Sequence, residues 1–186
     1  MEALAAEPRI RRRGALDTVE IARVAKRYGA ERALAGVTME LRKGTMCALL
    51  GHNGAGKTTL LGLLSTLVRP SAGTVAYKSA GKPVTGDGVR REIGMLAHAS
   101  LCYGELSAIE NLQFWCGINE VDPKAVPTAL DQLQLPGGAR RRPVRSLSAG
   151  QKRRASLARL LLADRPLWLL DEPLDGLDRD GIALFA

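Results

Sequence analysis

Short apolar runs alternate along the chain with polar breaks rich in glycine and proline, and the periods of those runs predict an α/β fold. Thr18 to Tyr28 reads as a strand closed by a turn at Tyr28-Gly29. Leu34, Val37, Met39 and Leu41 mark a second strand, turned at Arg42-Lys43-Gly44. Met46-Cys47-Ala48-Leu49-Leu50 is continuously apolar and is expected as a buried strand. Leu60 to Val68 is expected as a buried helix, stopped by the breakers Pro70 and Gly73. Thr74 to Tyr77 predicts a strand, Lys78 to Gly88 a surface loop, and Ile93 to Ala97 another short strand. Ser107-Ala108-Ile109-Glu110 has the form of a capping box, opening a helix with Ile109, Leu112, Trp115 and Cys116 on one face. Asp122 to Leu135 predicts further helix, with Pro127 inside it. The sum is a mostly parallel core sheet, a β-rich edge before residue 51 and a helical insert from about 100 to 150.

Between the run at 46–50 and the helix that follows stands Gly51-His52-Asn53-Gly54-Ala55-Gly56-Lys57-Thr58-Thr59. It fits the G-x-x-x-x-G-K-[ST] template of a phosphate-binding loop, in the strand–loop–helix context that template needs. Glycines at 51, 54 and 56 let backbone approach phosphate oxygens without a Cβ in the way. The loop feeds a helix N-terminus, whose free N–H groups and dipole favour an anion. Lys57 is placed for the β- and γ-phosphates of a nucleotide, and the Thr58 hydroxyl for Mg²⁺.

Two later stretches gain meaning from this loop. Ser148 opens Ser148-Ala149-Gly150-Gln151 and can cap a helix that continues through Lys152, Arg153 and Arg154. Alone it reads as a capped, basic amphipathic helix. Leu167-Trp168-Leu169-Leu170 is an apolar strand that ends in Asp171-Glu172-Pro173. Alone it reads as a strand and an acidic turn. Downstream of a phosphate loop, Asp171 is placed to hold Mg²⁺ and Glu172 to orient or deprotonate an attacking water.

Composition adds little to this reading. Lys plus Arg number 27 against 19 Asp plus Glu, giving a net charge of +8. That excess suits nucleic acid, anionic lipid or a plain solvated surface. The 3 cysteines, Cys47, Cys102 and Cys116, have no metal-type spacing and an odd number, which fits a reducing compartment. No run of about 18 apolar residues predicts a membrane span. Residues 1–17, with Arg11-Arg12-Arg13, read as a flexible extension or as a basic arm on anionic lipid.

The order Tyr28, GHNGAGKTT, LSAGQ, LLDEP and Leu174-Asp175-Gly176-Leu177-Asp178 resembles the ATP-binding subunit of ABC transporters, from about Thr18 to the end. The signature departs from the family by Ala149 in place of glycine. The resemblance implies an α/β P-loop NTPase of the ABC type with an antiparallel β subdomain and a helical subdomain. It implies ATP and Mg²⁺ as cofactors and Tyr28 as a ring stacked on adenine, although a tyrosine ending a strand is commonly structural. It further implies a head-to-tail dimer, in which Ser148, Gly150 and Gln151 of one copy close over ATP on the other. A separate membrane-spanning subunit would be driven from the cytoplasmic face, with this chain peripheral to the membrane. A narrower likeness lies in Ile93 to Leu112, with His98 where most ABC ATPases have glutamine, in LSAGQ, and in Leu174 to Leu184. These stretches look like the haem exporter ATPases of cytochrome c maturation. There His98 would keep the glutamine's role beside Mg²⁺ and the attacking water; the plain alternative is a loop histidine.

The family also has a switch histidine past the loop that ends at Asp178, whereas this chain has only His52 and His98. The expectation is therefore a cassette truncated after that loop. Its missing strand would leave an apolar slot between the phosphate-loop strand and the Asp171 strand. ABC ATPases acting on DNA insert a long coiled coil between loop and signature, and none fits between Lys57 and Ser148. Ribosome-acting ones carry two cassettes in a chain. A transport ATPase is the expectation, with no nucleic acid partner; the alternatives are an exporter of another substrate or a non-transport ABC ATPase acting on DNA or the ribosome.

Overall fold

The computed structural model describes residues 16–183. Its first unit is a four-stranded antiparallel sheet in the order β2-β1-β3-β4, built from β1 (Thr18–Tyr28), β2 (Glu31–Arg42), β3 (Ala72–Ser79) and β4 (Lys82–Val84). Val19 and Ile21 of β1 turn inward in the alternation a half-buried strand requires, and an irregularity in the β1–β2 register between Ile21 and Val24 brings Val24 inward as well. The expected loop over 78–88 is shorter than the sequence suggests. It folds into the β3–β4 hairpin, and the helix α2 (Asp87–Arg91) follows. Leu16 and Asp17, expected in the extension, belong to this unit. Leu16 is buried, and the Asp17 carbonyl accepts from Lys43 N–H at 2.8 Å. The rest of the expected extension, residues 1–15, lies outside the described residues.

The second sheet pairs β5 (Ile93–Leu96) with β6 (Leu167–Leu170) in parallel. Side chains alternate across it into two cores. Leu169 faces a core with Ile21, Leu60, Leu64 and Tyr77, whereas Leu96 faces one with Leu112, Cys116, Leu130 and Leu160. Leu96 and Leu169 thus bury opposite faces of the pair, which is why both strands are apolar, while Trp168 stays exposed. The first core is closed by α1 (Lys57–Leu64), the second by α3 (Ala108–Asn119), α4 (Val126–Gln132), α5 (Gly137–Arg140) and α6 (Ala149–Ala163). The short helix α7 (Arg179–Ala183) ends the described chain. The expected helical stretch 122–135 is a 3₁₀ turn at Pro123–Ala125 followed by α4, with Pro127 in its first turn, where the missing N–H costs nothing.

The capping box at Ser107 forms: its hydroxyl accepts from Glu110 N–H at 3.2 Å while Glu110 accepts from Ser107 N–H at 2.8 Å. Ser107→Ala should lower stability by about 1 kcal/mol, read as an earlier urea midpoint at unchanged slope.

Residues 46–50 correct the sequence reading. They take no strand conformation, and Met46 and Leu50 are 97% and 91% exposed. A strand exists only through its neighbours' ladder bonds. Here residues 46–50 line an apolar cleft of about 1180 Å³ together with residues 164–175.

Candidate functional site

The phosphate-loop template is realised around α1. Gly56 precedes the helix at φ 85, and a Cβ there would meet Ala33 O at 2.5 Å, so only glycine fits. His52, Asn53, Gly54 and Ala55 are exposed, and His52 Nδ1 lies 2.8 Å from Asn53 O. Lys57 Nζ folds back over the loop, donating to Gly51 O at 2.8 Å and His52 O at 2.9 Å. The ammonium therefore sits on the loop's own carbonyls, at the mouth of the cradle. Thr59 follows within the first turn of α1.

Asp171 reaches this loop from the tip of β6. Its N–H makes the last ladder bond, to Leu96 O at 2.9 Å. Its carboxylate, in a residue 5% exposed, accepts from Thr58 Oγ1 at 2.9 Å across 113 residues of sequence. A hydroxyl and a buried carboxylate oxygen in contact are the hard donors a small divalent cation selects. The next residue, Glu172, takes the left-handed backbone at φ 48, unusual for a side chain with a Cβ. Its carboxylate lies 3.3 Å from His98 Nδ1, at the end of β5. Asp175 completes an exposed group, with one ligand atom each from His98, Glu172 and Asp175 within 4.8 Å of one another.

Ser148 caps α6 as expected, accepting from Gln151 N–H at 3.2 Å while Gln151 accepts from Ser148 N–H at 3.1 Å. Gly150 is held against the loop after β6: a Cβ there would lie 2.6 Å from Gly176 O. The signature thus rests on Gly176, and among the described residues no hydrogen bond joins it to residues 51–59. Tyr28 ends β1 and is 49% exposed, and Lys26 Nζ lies 5.0 Å from the ring centroid.

Two arginines escaped the sequence reading. Arg153 and Arg154 belong to the stretch that alone reads as a capped, basic amphipathic helix, yet they are 7% and 8% exposed. Arg154 donates to Asp178 at 2.7 Å and to Leu133 O at 3.0 Å. The Gly181 N–H, with Arg154, holds the Asp178 carboxyl below its ordinary range. Burial pulls the Arg153 guanidinium down from its ordinary value, opposed by Asp175, Asp171 and Glu172. Small residues around them, Ala155, Ser156 and Ala158, were the available signal, because they let α6 pack closely on both sides.

A family model for the ABC transporter matches residues 34–175. The chain belongs to the ABC transporter ATP-binding family. It is 41% identical over 157 residues to the cytochrome c biogenesis ATP-binding export protein CcmA of Rhodopseudomonas palustris, covering 84% of this chain and 76% of that one. With the protein of the same description from Rhodobacter capsulatus the identity is 44% over 158 residues, covering 85% and 67%. A putative ABC transporter ATP-binding protein from Pyrococcus furiosus superposes with a TM-score of 0.76 at 27% identity, over 90% of this chain and 81% of that one. A dimeric ATP-binding cassette bound to ADP and Pi in a post-hydrolysis state gives 0.78 at 24% identity, over 90% and 81%, and supports the fold. The ABC ATPase is thus a nucleotide-binding, ATP-hydrolysing cassette of two subdomains. Dimerisation and a membrane partner are general features of its family. Among the described residues no helix is long and apolar enough to cross a membrane.

Proposed function

We propose that this ABC ATPase powers haem export in cytochrome c biogenesis, working from the cytoplasmic face on a separate membrane subunit. The observation that carries the chemistry is the meeting of Lys57, the Thr58–Asp171 contact at 2.9 Å and the Glu172–His98 pair at 3.3 Å around one loop and two strand tips. The export assignment rests on relatives described as cytochrome c biogenesis ATP-binding export proteins.

In this reading the N–H groups of residues 53–58 and Lys57 hold the β- and γ-phosphates, with Tyr28 against the adenine. Lys57 exchanges two neutral carbonyls for phosphate oxygens, a stronger, charge-assisted contact. Thr58 and Asp171 are the ligands for Mg²⁺, which when bound neutralises charge developing on the phosphates. Glu172 accepts the proton of the water that attacks the γ-phosphorus, and ADP leaves with the former bridging oxygen. His98, in contact with Glu172, orients that carboxylate and the water. Ser148, Gly150 and Gln151 of one copy close over the loop of a second, antiparallel copy, so turnover requires association.

The test is MgATP titrated into the chain with phosphate release followed in the same vessel. Saturable binding, with release rising faster than linearly in protein concentration, is the expected result; absence of binding would sink the reading. The export clause is tested in a strain lacking its own cytochrome c biogenesis ATPase. Restored covalent haem attachment supports it, and normal ATP turnover without restoration rejects it. His98→Ala should slow phosphate release about 100-fold, the lower end of the range for loss of a group assisting proton transfer, at unchanged MgATP affinity. A rate equal to the parent's would return His98 to a plain loop residue.

A further inference from the structure

Arg153 lies in the second turn of α6, and its guanidinium has no carboxylate in hydrogen-bond contact among the described residues. Its fork is spent on backbone carbonyls instead. Nη1 donates to Ala97 O at 2.8 Å, Nη2 to Asp171 O at 2.5 Å and to Glu172 O, and Nε to Pro173 O at 3.3 Å. Ala97 is the residue before His98, and the other three acceptors run along the tip of β6 through Glu172 itself. One rigid, planar group therefore ties together the backbones that carry both members of the Glu172–His98 pair.

The geometry calls for such a tie. Beyond Asp171 the β6 ladder has ended, and Glu172 stands at φ 48, where a residue with a Cβ is strained and must be held. Carbonyls of three successive residues then converge on one point and need a common donor. Asp175 N–H reaches Glu172 O at 3.0 Å, but it spans only this turn and leaves β5 untouched. Arg153 is the donor among these that also bonds Ala97. It stands on the same helix as Ser148, Gly150 and Gln151, five residues beyond the cap.

We propose that Arg153 is a positioning residue: it sets Glu172 against His98 and makes that setting depend on where the signature helix stands. The inference rests on the reading of Glu172 as the base. Closure of a second copy against Ser148 displaces or seats α6, and the guanidinium transmits the change to the carbonyls of Ala97 and Glu172. A lysine keeps the charge but offers no fork, so it cannot span both strands.

The test uses the full chain labelled with ¹⁵N-histidine. It has 2 histidines, so the imidazole spectrum separates His98 from His52, which lies in the phosphate loop and serves as the internal control. E172Q calibrates the contact by shifting the His98 signals. R153Q is expected to shift them in the same direction while leaving His52 in place. R153K, the variant to rely on should R153Q fail to fold, is expected to do the same. His98 signals at parent positions in a folded Arg153 variant would overturn the proposal. An E172Q chain with unmoved His98 signals would overturn the pair itself, and this inference with it. In turnover, kcat should fall about 100-fold at unchanged KM, the scale of an ångström's misplacement of a catalytic group. A parent-like kcat, or a loss confined to KM, is the contrary result.

Discussion

Lys57→Ala is expected to weaken MgATP binding by at least about 100-fold without unfolding the domain. The Lys57 ammonium is partly exposed and held by two neutral carbonyls, Gly51 O at 2.8 Å and His52 O at 2.9 Å. Hydrogen bonds to charged groups contribute about 1.5–3 kcal/mol each. Two of them on phosphate oxygens amount to about 3–6 kcal/mol, and about 1.4 kcal/mol is tenfold in affinity. The two carbonyls lie in an exposed loop, so water replaces the ammonium there at small cost. The apo chain should therefore melt within a few degrees of its parent. Calorimetric titration with MgATP at fixed salt is the measurement. An affinity within about threefold of the parent would mean that backbone N–H groups alone hold the phosphates.

What could be read in advance follows the range of each interaction. The phosphate loop, the capping boxes at Ser107 and Ser148 and the apolar run into Asp171 are written within a few residues, and all fold as those residues dictate. Met46 to Leu50 has a strand's composition but no ladder, because pairing is a property of what stands alongside. The first helix stops at Leu64, four residues before the apolar pattern does. Thr66 takes φ 63 and donates to Leu63 O, leaving Leu67 74% exposed, and neither event leaves a mark in hydropathy. Arg153 and Arg154 were invisible for a related reason. Their partners lie 18 to 24 residues along the chain or on another strand, so a basic run on a helix looked like solvent-facing charge. Burial of such arginines is tolerable only with every donor occupied, and that condition belongs to the assembled fold.

Glu172→Gln separates binding from chemistry. Glutamine keeps the size and the left-handed backbone demand at position 172 but carries no charge and cannot accept the proton of water. The Glu172 carboxylate contacts His98, whereas Lys57 and Thr58 bond Gly51 O, His52 O and Asp171, so the cradle for the phosphates stays as it is. Phosphate release should fall about 10²–10⁴-fold, the usual scale for loss of a general base, at MgATP affinity close to the parent's. The consequence for assembly is larger than the loss of rate. If closure of two copies needs ATP and opening needs its hydrolysis, the variant holds the closed state and a dimer accumulates with MgATP but not with MgADP. Light scattering on a sizing column reads this directly. Undiminished release would show that another group accepts the proton, with Asp175, in the same exposed group, the next candidate. A slow variant that stays monomeric in MgATP would instead break the link between ATP occupancy and closure, and with it the dimeric reading of Ser148, Gly150 and Gln151.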